Sequence, residues 1–167
     1  MVAGVVCRGA DSDGSLTSIY TNLTEQACPQ IKENQETGST VRRCPGIGGY
    51  QLLVEDDDAR MSVKVVTPSG EEHELSYWTV ITPKFSSLGA KAEWRVAKRG
   101  SSLLPVGLIV RVEARESETA KKTSYLAVAK ITPREICVTQ KVAPSADANQ
   151  RAREAADRAA SAACLGH

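Results

Sequence analysis

Five cysteines, one internal histidine, a run of four acids and a few aromatic residues are the side chains in this 167-residue sequence whose types and spacing could do chemistry. The cysteines are Cys7, Cys28, Cys44, Cys137 and Cys164. None forms a CxxC pair, and with only His73 and His167 as histidines no Cys/His cluster has zinc-ligand spacing. An oxidising compartment suits them better, with Cys28 joined to Cys44 across a polar segment and Cys137 joined to Cys164 across the end of the chain. Four cysteines allow three connectivities, so this pairing rests on proximity and leaves Cys7 over. Five reduced thiols in a cytosolic protein are the alternative.

Nucleophilic and acid–base sites are weakly specified. Ser86 or Ser87 with His73 and an acid would complete a hydrolase set, but no GxSxG elbow supports it. His73 lies among glutamates, where an imidazole is usually a surface group. Glu55-Asp56-Asp57-Asp58 lacks the alternation and central glycine of a calcium loop; Glu55 and Asp57 are its weak cation candidates. CPGIGG, Cys44 to Gly49, has a loop before it and a strand after it, the reverse of a dinucleotide fingerprint, and no Gly-Lys-Ser/Thr; its glycines turn the backbone. Tyr77, Trp78, Phe85 and Trp94, with His73 nearby, bracket an irregular segment and are the candidate ligand-binding residues; the bland alternative is that they fill the core. Asn22-Leu23-Thr24 is a glycosylation sequon.

A scaffold must hold these groups, and the pattern predicts one that is mainly β. The size fits one domain. Residues 1–16 are expected to be a flexible segment: MVAGVVC is too short for a complete signal peptide but fits the tail of one. Residues 17–167 form the domain. Thr24 to Thr40 and Ile81 to Trp94 read as loops. Period-two alternation marks strands at Tyr50–Val54, Met61–Val65, Glu72–Thr79, Ala92–Lys98, Pro105–Val112, Ser124–Ile131 and Glu135–Val142. About seven or eight strands at such spacing predict an antiparallel β-sandwich or barrel-like meander. An alanine-rich helix over 145–164 should follow, with Ala148, Ala152, Ala155, Ala159 and Ala163 as its stripe.

The segments CPGIGGYQLLVEDDDARMSVKVVTPSG, YWTVITPKFSSLGAKAEWR and TSYLAVAKITPREICV resemble a group of small exported bacterial proteins that carry no established function. The resemblance spans the chain from about Tyr20 onward and implies export without supplying site residues. Net charge is +1 from 21 basic and 20 acidic side chains, so no field favours nucleic acid. No apolar run reaches the length of a membrane span. The expectation is therefore a periplasmic or secreted binding or inhibitor-like module without a cofactor, its partner an envelope protein or a glycan. A hydrolase using His73 and an envelope structural protein are the alternatives.

Overall fold

The computed structural model describes residues 14–115 and 117–166; the expected signal remnant, with Cys7, lies outside them apart from its last residues. The described residues form ten strands: β1 (Thr17–Asn22), β2 (Gln30–Glu33), β3 (Thr40–Pro45), β4 (Gln51–Asp57), β5 (Arg60–Val66), β6 (Glu72–Glu74), β7 (Phe85–Arg99), β8 (Ser102–Arg115), β9 (Thr123–Ile131) and β10 (Ile136–Val142). Two helices, α1 (Tyr77–Val80) and α2 (Ala148–Asp157), and a 3-10 turn at Ala159–Ser161 complete it. They form one sheet in the order β10-β9-β8-β7-β5-β4-β3-β2, with β1 on β7 and β6 on β5.

Pairing is antiparallel except where β5 meets β7 in parallel at Arg60 and Ser86. That single contact joins two halves, because further along the same edge of β7 its partner is β1, from Thr17 opposite Val96 to Asn22 opposite Lys91. The sheet folds over there. Leu52, Val54, Val63 and Val65 of one half pack in a common core with Trp94, Val96, Leu108, Val110 and Val112 of the other. The sheet does not close into a barrel. The expectation of a mainly β sandwich-like meander with a C-terminal helix holds, with three corrections. The polar stretch after Thr24 contains β2, the supposed loop from Ile81 is largely β7, and the strand expected over Glu72–Thr79 is three residues of β6 followed by α1.

The alternation that fills the core also prepares the other face. Ile109, Leu126 and Val128 point away from the first core and pack with Val142 under Ala148, Ala152 and Ala156 of α2. The helix is shorter than expected, and its stripe passes through Ala156, with Ala155 only partly buried. Small residues let it lie close: a Cβ on Gly107 would stand 3.1 Å from the Ala156 Cβ. Glu93 and Arg95, on the same outward face of β7, hold the helix electrostatically. Arg95 donates to both carboxylate oxygens of Asp157 at 2.6 and 2.9 Å, and Arg153 donates to Glu93 at 2.6 Å. Ser18 accepts from Arg95 and donates to Glu93, so the two pairs form one network. Both disulfides form as expected, Cys28–Cys44 and Cys137–Cys164. No helix among the described residues is long and apolar enough to cross a membrane.

Candidate functional site

Four connections gather at one end of the sandwich: the β2–β3 turn, the β4–β5 tip, the α1–β7 link and the β8–β9 loop. The β4–β5 tip is a two-residue turn with Asp58 at φ 53° and Ala59 at φ 56°. Both central residues thus take positive φ, as in the type I′ turn, one of the two forms in which so short a hairpin matches strand twist. Neither is glycine, and an alanine held there costs on the order of 1–2 kcal/mol. Arg60 offsets part of that cost by donating to the Asp58 carboxylate at 2.6 Å and to the Pro83 carbonyl at 3.1 Å while lying over the Phe85 ring. The tip is thereby tied to the α1–β7 link.

Helix α1 plugs a gap in the edge of β5. Ser62 Oγ accepts the Tyr77 amide hydrogen at 3.0 Å, and Ser76, the residue before the helix, has φ 47°. This sends adjacent aromatics opposite ways. Tyr77 enters the core, where burial pushes its hydroxyl pKa up, and Trp78 stays half-buried on the outer face. There Trp78 borders a hollow of about 200 Å³ with Glu55, Asp57, Lys32 and Asn34. Glu55 is engaged with Lys64 at 3.0 Å, and Lys64 also reaches Glu74 at 3.2 Å. The Glu55 hydrogen bond, then that to Glu74, holds the Lys64 ammonium above its ordinary pKa despite its desolvation.

A second hollow, about 430 Å³, adjoins the first across Thr40 and Asp56, which border both. It opens on the inner face. Cys44 lies opposite Leu52, Arg42 opposite Val54 and Thr40 opposite Asp56, so this face runs from core to rim in three steps. Arg42 is the middle step, with its side chain 13% exposed. Its buried Nη1 has no hydrogen-bond partner, and Glu25 Oε1 stands 3.8 Å away. Gln30, Gly38 and Cys28 complete the lining.

The other nominated residues are dispersed. Trp94 is fully buried, donating to Thr21 Oγ1 at 2.9 Å, so it belongs to the core with Tyr77. Phe85 is 38% exposed and borders a separate hollow of about 280 Å³ with Ser86, Ser87, Glu113 and Arg115. His73 lies at the far end, 3.4 Å from Glu71, between the turns at Thr67–Gly70 and Thr132–Arg134. It sits opposite Val65 while Ser86 sits opposite Arg60, five residues along β5 and about 16 Å apart at strand rise. Proton transfer between them is out of reach. Among the described residues, the one trio of ligand-type side chains within 4.8 Å is Glu135, Cys137 and Cys164, and its two sulfurs are bonded to each other. Arg42, Glu25 and Asp56 escaped nomination. The signal was the period of two before Cys44, which puts an arginine in phase with a half-cystine.

No protein-family model matches the chain, and neither a curated protein nor a solved structure does.

Proposed function

We propose that this chain is an exported binding module that holds a small polar ligand at the turn-bearing end of the sandwich. The observation that carries the reading is the meeting of Trp78, Glu55 and Asp57, three residues nominated from sequence, at one hollow that adjoins the polar mouth at Asp56 and Arg42. Trp78 supplies a flat apolar face, the acids and Asn34 supply orientation, and the sheet supplies rigidity. Non-glycine residues at positive φ flank the site at Asp58, Ala59 and Ser76, and strain of this kind collects where function requires it. Two disulfides support export to the periplasm or medium.

The hydrolase alternative in its Ser86 form lacks the geometry, since its histidine and serine stand at opposite ends of β5. Tryptophan emission tests the binding reading. With Trp94 buried, the low-mass fraction of an envelope extract should shift the emission of Trp78 and leave Trp78→Phe unresponsive. An identical response from Trp78→Phe, or none from the parent, would refute it.

A further inference from the structure

The inner hollow bears on what that ligand is. A guanidinium has five donors in a planar fork, and removing it from water without acceptors is unfavourable. Arg42 is partly in that position: its buried Nη1 has no hydrogen-bond partner, and its ion pair with Glu25 is a loose one at 3.8 Å to a carboxylate that is itself 83% exposed. Asp56 lies on the same face of the β3–β4 pair, one step closer to the rim, yet no ion pair joins it to Arg42. The hollow lies between these unjoined charges, and a Cβ on Gly38 at its border would meet nothing within 4 Å. A charge arrangement that is unfavourable in the free protein is explained when a ligand completes it.

The signs of the charges select the ligand. The fork of Arg42 matches a carboxylate through two parallel hydrogen bonds. Glu25 and Asp56 together outweigh Arg42 by one negative charge, so a simple anion is repelled, and a cationic group is needed against them. A small molecule with a carboxylate and an ammonium on one carbon satisfies both demands. We infer that the hollow bounded by Arg42, Asp56, Glu25, Gln30 and Thr40 binds a free α-amino acid as its zwitterion, the carboxylate on Arg42 and the ammonium on Asp56 and Glu25. This rests on the reading that the ligand occupies this end of the sandwich. The lining is mostly polar, which favours amino acids with polar side chains over aromatic ones.

Isothermal titration of the intact, oxidised protein with a panel of free L-amino acids tests the inference, each best binder being followed by its N-acetyl and its amide derivative. The expected result is saturable binding that weakens about tenfold or more with each derivative, since each removes one charge-assisted contact. Arg42→Gln should abolish binding, and Asp56→Asn should weaken it. Arg42→Met should melt no lower than the parent, because it removes a largely buried charge held only by a loose ion pair with exposed Glu25 while retaining the apolar stem; a lower melting temperature would show a structural ion and count against the inference. No binding of any amino acid at about 10 mM, or equal binding of the N-acetyl form, overturns it. Methyl glucoside and glycerol form a further arm. Arg42-dependent binding of either, without amino acids, would overturn the zwitterion and leave the binding module standing, whereas failure of the Trp78 emission test as well would remove both.

Discussion

Strand β2 exposes all four of its residues, pairs only with β3, and does so with a register shift between Gln30 and Lys32. It therefore buries little apolar surface, and the Cys28–Cys44 bond must do much of the work of holding it. Replacing both cysteines by alanine tests this. The sequence separation is 16, and the chain-entropy relation assigns a loop of that size about 3 kcal/mol. Both half-cystines are 1% exposed in the core, so loss of packing adds to that figure. Urea denaturation should show the double variant destabilised by about 3–4 kcal/mol. Hydrogen exchange should accelerate most in β2, in the Thr24–Cys28 turn and at Arg43, whose amide donates to the Pro29 carbonyl. Because Gln30 of β2 is the register partner of Arg42 and both line the inner hollow, ligand binding should weaken with it. A loss below about 1 kcal/mol with β2 protection unchanged would refute the reasoning, showing that the ladder alone holds the strand.

Other expected outcomes follow from contacts already described. Gly107→Val should destabilise by about 1–3 kcal/mol, read by thermal or urea melts, because its side chain would displace Ala156 of α2. Arg95→Met should cost about 2–4 kcal/mol by leaving Asp157 without its partner while Glu93 keeps Arg153, with exchange of α2 amides rising more than that of β4 and β5. Lys64 has a folded-state pKa raised above 10.5, so its contribution to stability is complete below that pH and is lost as pH rises through the folded value. Stability of the parent should thus fall in that alkaline window more steeply than that of Lys64→Met, as followed by urea midpoints at stepped pH.

How much of this was legible depended on whether an element carried its own pattern. Leu52 and Val54, Val63 and Val65, and the alternating positions of β8 announced buried faces because one side of each strand meets the core. The cysteine pairs were readable from proximity. Strand β2 was not, since QIKE has no buried side to pattern it. The first part of β7 was hidden for another reason: Ser86 and Ser87 look like loop residues, yet Ser86 is buried and its hydroxyl accepts the Met61 amide hydrogen where the sheet folds over. At the site, aromatic type alone could not separate Tyr77 from Trp78; Ser76 and Ser62 decide which turns inward. Arg42 was legible in principle, two residues before a half-cystine on the same face of a strand. The lack of a hydrogen-bond partner at its Nη1 was not, because that depends on where Glu25 and Asp56 come to rest.

The central claim is that a small ligand occupies the turn-bearing end. Native mass spectrometry of the oxidised protein, isolated gently from its source, tests it most directly. The account predicts a retained low-mass species on the parent, identified on release as a small zwitterion, and its absence from both Arg42→Gln and Trp78→Ala of unchanged melting behaviour. A parent without any adduct after incubation with the low-mass extract, or an adduct retained equally by both variants, would contradict the account.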